Sequence, residues 1–190
     1  CSTQKKPYPY DRVLAAARYD GAVQMAIKRL KFNDKPRIAR PLGELLREQA
    51  ARELDCDTYN CLVPVPLHRV RRRACGFNQA ELIAQEIAPI FVNAVVDTSL
   101  IRLRPTHVQS RLHSEKERRE SVHGAFSLSK RVNFSEKRVL LIDDVVTTGA
   151  TIHECATVLK KGGAAVVDVL AVALAIPGSD ADSADLRRKE

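Results

Sequence analysis

Val139-Leu140-Leu141-Ile142-Asp143-Asp144-Val145-Val146-Thr147-Thr148-Gly149-Ala150-Thr151 decides how the rest of the chain is read. Four apolar residues run into two adjacent carboxylates and then into a small, hydroxyl-rich turn containing glycine. The pattern predicts a buried strand over residues 139–142 that ends at a phosphate cradle, followed by a helix over residues 151–161. A loop feeding a helix N-terminus offers unpaired backbone N–H groups and the positive end of the helix dipole, which suits a phosphate. Asp143 and Asp144 would then lie where a sugar bonded to that phosphate must sit. Paired carboxylates accept hydrogen bonds from two neighbouring ribose hydroxyls and can meet a hydrated Mg²⁺. The implied ligand is a ribose 5-phosphate unit. The plainer alternative is that the acids only close a strand and cap a helix. It does not account for the apolar run, the doubled acid and Gly149 between Thr148 and Thr151 occurring in that order.

This segment resembles the phosphoribosyl-pyrophosphate (PRPP) signature of the type I phosphoribosyltransferases. The resemblance implies that Asp143 and Asp144 hold the ribose 2- and 3-hydroxyls, and that Val146, Thr147, Thr148, Gly149, Ala150 and Thr151 hold the 5-phosphate. A second block narrows the family. Leu62-Val63-Pro64-Val65-Pro66 is followed by Leu67-His68-Arg69-Val70-Arg71-Arg72-Arg73 and then by Gly76-Phe77-Asn78-Gln79-Ala80-Glu81-Leu82, which is similar to the ComF family of competence-associated phosphoribosyltransferase-like proteins. Arg104, Thr106, Gln109, Leu112, Arg118, Val122, Ala125 and Phe126 fall at that family's spacing, and the match runs from Tyr19 to Ile176. Cys75, Val108 and Ser121 stand where the family usually has arginine, proline and asparagine.

The resemblance also assigns a chemistry. Phosphoribosyl transfer breaks the C1–pyrophosphate bond of PRPP as a nitrogen nucleophile approaches, so its catalysis is largely electrostatic and positional. Pro66, Leu67, His68 and Arg69 correspond to the pyrophosphate loop, with Arg73 assisting; a solvated basic turn is the competing reading for the arginines, and a structural hydrogen bond for His68. Residues 102–123, with Arg102, Arg104, Arg111, Lys116, Arg118 and Arg119, resemble the mobile catalytic loop that closes over PRPP and excludes water. Ser114 and Glu117 also read as a capping box of a short helix. Asp144, Arg118 and Arg104 are the catalytic candidates. Mg²⁺ would enter with PRPP, near Asp143 and Asp144, rather than on protein side chains alone.

At 190 residues the chain suits one domain with a real core. With 31 basic and 23 acidic residues its charge is +8, which favours polyanions, PRPP and nucleic acid alike. Aromatic residues make up 5% with no Trp, which argues against a stacking platform, so weak and salt-sensitive binding of single-stranded DNA is expected. Cys1, Cys56, Cys61, Cys75 and Cys155 form no Cys-x-x-Cys pair. Neither a disulfide framework nor zinc is therefore expected in this chain, and a reducing cytoplasm is the natural setting. ComF-like proteins commonly carry a small zinc-binding segment upstream, of which Cys1 would be a last ligand or merely a point of truncation. The apolar run of residues 164–176 is broken by Asp168 and too short to span a bilayer.

The expected architecture is α/β: a type I phosphoribosyltransferase-like parallel sheet flanked by helices, with a small N-terminal hood. Residues 1–37 are assigned to the hood segment, its candidate acceptor-selecting part being residues 8–36; residues 38–176 to the core; and residues 177–190 to a loose tail. Residues 7–19 have a mixed composition without clear period, residues 22–32 fit a helix whose Lys28 and Lys31 read equally as solvated or ligand-facing, and residues 39–54 and 78–87 fit two more helices. Strands are expected over residues 61–65, 94–97, 100–102, 139–142 and 166–174. Strands alternating with helices place the ligand beyond the carboxyl ends of a parallel sheet.

Three functions follow from the resemblance. The first is a PRPP-binding ComF-type phosphoribosyltransferase acting in DNA uptake or natural transformation, with other competence proteins as partners. The second is a non-catalytic PRPP sensor or a component of single-strand DNA import. The third is a transferase of nucleotide salvage. The residues leave catalysis, the acceptor base and homodimer formation open.

Overall fold

A computed structural model describes residues 8–32, 35–105, 120–129 and 132–175. In chain order its strands are β1 (Arg12–Arg18), β2 (Cys61–Pro64), β3 (Val95–Val96), β4 (Leu100–Arg102), β5 (Phe126–Leu128), β6 (Arg138–Val146) and β7 (Val166–Leu174). Its helices are α1 (Gly21–Phe32), α2 (Ala39–Glu53), α3 (Arg69–Cys75), α4 (Gln79–Ile87) and α5 (Ala150–Lys161). Five strands form one parallel sheet in the order β1-β7-β6-β2-β3, and β4 pairs with β5 as a separate antiparallel ribbon.

β6 and β7 are nearly continuous apolar runs because both faces of the sheet are covered. Side chains alternate between two cores. Val139 and Leu141 pack with Ile152, Cys155 and Leu159 of α5, while Leu140 and Ile142 join Ile27 and Leu30 of α1, Leu46 of α2 and Ile83 of α4. Close approach of α2 and α4 requires Gly43, where an added Cβ would lie 2.4 Å from the Cβ of Glu86. Helix α4, between β2 and β3, thus lies on one face and α5, which follows β6, on the other, although β2 and β6 are neighbours. A crevice opens beyond the carboxyl ends of such a pair.

Four local expectations change. Residues 12–18, which lack strand periodicity and fall in the expected hood segment, form β1 at the edge of the main sheet, paired with β7 from Arg12 opposite Asp168 to Arg18 opposite Leu174. Three alanines and two arginines have little intrinsic β preference, so the ladder with β7 imposes the conformation. The strand expected to stop at Ile142 continues through both acids to Val146, with Asp143 in register with Ala171. The arginine-rich turn is instead helix α3, begun by His68 and followed by Gly76 at φ 75°. β5 is an additional short strand. Most of the candidate mobile loop, the capping box at Ser114 and Glu117, Cys1 and the tail lie outside the described residues.

Candidate functional site

A cavity of about 580 Å³ opens beyond the ends of β2 and β6. Asp143 and Asp144 of β6, Pro66, Leu67 and His68 after β2, and Lys31 of α1 are among its walls. Asp144 is only 6% exposed, and its Oδ2 lies 2.8 Å from Lys31 Nζ. Asp143 Oδ1 accepts the backbone N–H of Asp144 at 2.8 Å. Burial first, and then repulsion from Asp144, pushes the Asp143 carboxyl up to about 8, with Lys31 offsetting only part of the rise. For Lys31, burial disfavours the ammonium, but the charge and hydrogen bond of Asp144, helped by Asp143 and Tyr19, outweigh it and hold the group above the ordinary lysine value. One lysine therefore serves two adjacent carboxylates and does not neutralise both.

The phosphate-loop candidates divide. Gly149 adopts φ 75°, ψ 0° as the N-cap of α5, a left-handed conformation that favours glycine, and no side chain caps that helix. Thr151 lines the main cavity, whereas Ala150 lines a smaller one of about 250 Å³ with His123 and His153. Val146, Thr147, Thr148 and Gly149 are not walls of the main cavity, and Thr148 Oγ1 is buried with no hydrogen-bond partner among the described residues.

The pyrophosphate-loop candidates also separate. Pro66, Leu67 and His68 face the main cavity; Arg69 lines an adjoining cavity of about 310 Å³; Arg73 lines neither. His68 Nδ1 accepts the N–H of Val70 at 3.3 Å, so the imidazole begins α3. Asn78, almost fully buried, donates from Nδ2 to Val65 O at 3.0 Å and accepts the Ala80 N–H at 3.2 Å, which fastens the end of β2 to α4. The other arginines of α3 are not merely solvated. Arg72 Nη2 lies 3.0 Å from Glu81 Oε2, and Arg71 sits 5.8 Å from the ring centroid of Phe32.

Of the catalytic candidates, Asp144 is in the cavity and Arg118 lies outside the described residues. Arg104 is turned away to donate to the carbonyl of His123. His123 Nδ1 lies 3.0 Å from Glu154 Oε1, and the Gly124 N–H donates to Glu154 Oε2 at 3.1 Å. These contacts clip the chain on both sides of residues 106–119 together and onto α5.

Among the other walls are Lys31, which the sequence leaves open between solvated and ligand-facing, and Gln79, to which it assigns no role. Lys31 carried a readable signal, since it stands four residues after the fully buried Ile27 and so shares its helix face. Gln79 is 3% exposed, lines the cavity, and its Nε2 has no hydrogen-bond partner among the described residues. A buried amide in that condition is costly unless something satisfies it.

A phosphoribosyl transferase domain is recognised over residues 78–188. Competence protein F of Haemophilus influenzae is 32% identical over 180 residues, which cover 92% of this chain and 78% of that protein. The chain belongs to the ComF family of type I phosphoribosyltransferase-like proteins. DNA utilization protein YhgH of Salmonella typhimurium is 33% identical over 168 residues, 87% of this chain and 73% of that protein. Competence protein ComFC of Bacillus subtilis is 35% identical over 113 residues, 58% of this chain and 43% of that protein. In this ComF chain the recognised domain takes in α4, β6 and α5, whereas the loop after β2, which closes the other side of the cavity, precedes it.

Proposed function

We propose that this ComF-family chain binds PRPP with Mg²⁺ at the carboxyl ends of β2 and β6, and acts as a phosphoribosyltransferase in DNA uptake. The observation that carries the reading is the meeting of Asp143, Asp144, Thr151 and the loop Pro66-Leu67-His68 around one cavity at the switch point of the sheet. The acids would accept the ribose diol, the N-terminus of α5 would hold the 5-phosphate, and the loop amides would meet the diphosphate. Among the described residues no group of three His, Cys, Asp or Glu could hold a metal. Two carboxylates beside ligand phosphates do fit Mg²⁺, which usually keeps several waters and takes few protein ligands. When bound there, Mg²⁺ would neutralise charge on the departing diphosphate.

The link to DNA rests on the names of the relatives, competence and DNA utilization proteins. No described helix is long and apolar enough to cross a membrane. A reducing cytoplasmic setting is supported by Cys56, Cys61, Cys75 and Cys155 all being free thiols. Single-stranded DNA would bind weakly through backbone charge, with partner competence proteins supplying further affinity.

Calorimetry with PRPP and Mg²⁺ tests the site, and pyrophosphate release with each common base in turn tests catalysis. Binding with steady release for one base establishes the enzyme and its acceptor. Binding without release with any base favours the PRPP sensor, and no binding removes the reading.

A further inference from the structure

Lys31 and the ribose diol of the proposed ligand need the same oxygens. The ammonium has three donors and no acceptor, and it stands 2.8 Å from Asp144 Oδ2 on a carboxylate that is 6% exposed. A ribose hydroxyl bonding to that carboxylate must also donate, so the two compete. The backbone around Lys31 is fixed: Ile27 and Leu30 of α1 are fully buried, and the Lys31 carbonyl accepts from Cys75 Sγ at 3.9 Å. The flexible four-carbon stem is what can move. Lys31 is a wall of the same cavity as Pro66, Leu67 and His68. An ammonium whose side chain is three-quarters buried loses a stabilising partner when it leaves its carboxylate unless another anion receives it. A ligand that brings a diphosphate with its ribose supplies that anion in the same binding event.

We propose that Lys31 exchanges partners when PRPP binds: the ammonium leaves Asp144 as the ribose diol takes the carboxylates, and passes to the diphosphate oxygens facing the loop after β2. This rests on the PRPP reading above and adds a ligand-binding residue from the N-terminal helix. It gives Lys31 two opposite effects, obstructing the ribose and attracting the diphosphate. A ligand with the ribose but no diphosphate should meet only the obstruction.

The test compares ribose 5-phosphate with PRPP, each with Mg²⁺, by calorimetry on the full chain carrying Lys31, Lys31→Met or Lys31→Arg. Lys31→Met should bind ribose 5-phosphate about threefold to tenfold more tightly and PRPP about tenfold more weakly, the scale of one charge-assisted hydrogen bond gained or lost. Lys31→Arg should keep PRPP affinity within about threefold, since a cation is retained. If Lys31→Met fails to fold, Lys31→Gln should show the same opposite signs with smaller amplitude. Shifts of the same sign for both ligands, or no shift in either, overturn the exchange while leaving PRPP binding standing. Failure of the unsubstituted chain to bind PRPP brings down the underlying reading instead.

Discussion

Two buried acids, Asp168 and Asp144 with the half-buried Asp143 beside it, sit at opposite ends of the same sheet and are treated differently. At the amino end, Asp168 of β7 is 2% exposed and accepts a hydrogen bond from Tyr59 Oη at 2.6 Å, with Arg12 Nη2 at 3.7 Å and Arg138 Nη2 at 3.9 Å. The Arg138 guanidinium also lies over the Tyr59 ring. Burial, followed by the hydrogen bond and charge of Asp168, raises the Tyr59 phenol well above its ordinary value, so it stays a donor. At the carboxyl end, Asp143 and Asp144 share Lys31 and border a large cavity. Satisfied from within, Asp168 is part of the structure. The other pair is under-supplied by its own chain, which is the condition of a site built for an outside partner.

The sharpest way to break this contrast is to remove each acid group in turn. Asp143→Asn with Asp144→Asn should lower PRPP affinity at least tenfold by calorimetry, since each lost charged hydrogen bond is worth about 1.5–3 kcal/mol. The melting temperature of that variant should fall less than that of Asp168→Ala, because the Lys31 ammonium it leaves without a carboxylate is partly exposed. Asp168→Ala should do the reverse, losing about 1–3 kcal/mol in denaturant titration with PRPP affinity unchanged, because the buried Tyr59 hydroxyl is left without its acceptor while Arg12 and Arg138 are partly exposed. If instead Asp168→Ala weakens PRPP and the double variant melts earlier than Asp168→Ala, the assignment of roles is wrong.

A smaller effect comes from Tyr59→Phe, expected to cost about 1 kcal/mol by leaving Asp168 one donor short. The pH dependence sharpens the other end. With its pKa raised from about 4 in the unfolded chain to about 8, Asp143 binds a proton in the folded state that the unfolded state has lost. Its contribution to stability is therefore complete below about pH 4 and declines as pH rises towards about 8. Thermal melts of the unsubstituted chain should show that decline, and Asp143→Asn should flatten it. Smallest of all, Glu154→Gln should cost less than about 1 kcal/mol, because its His123 partner is 83% exposed. It should, however, raise proteolytic nicking on either side of residues 106–119.

The sequence already announced the acids, the glycine turn and the alternation of strands with helices, because each is a local pattern with a local cause. Where pairing partners lie far apart, the text was silent. β1 exists through β7, some 150 residues away, and its alanines and arginines gave no period to read. Helix α3 had usable signals in its arginines, which favour helix, and in Gly76 just beyond its end, but clustered charge dominated the reading. That Lys31 faces Asp144 depends on how α1 docks, which periodicity narrows to a face without naming the partner.

The position of β6 has a practical corollary. It is the middle strand of five, hydrogen-bonded to β7 on one side and β2 on the other, so its amides should open to exchange only when the whole molecule unfolds. A ligand gripping its last residues therefore holds the global transition rather than a loop. Stabilisation should then follow simple mass action, reaching about 2.7 kcal/mol at a hundredfold excess over Kd. A plain thermal-shift screen of phosphorylated sugars and nucleotides thereby becomes a ruler for affinity at this site.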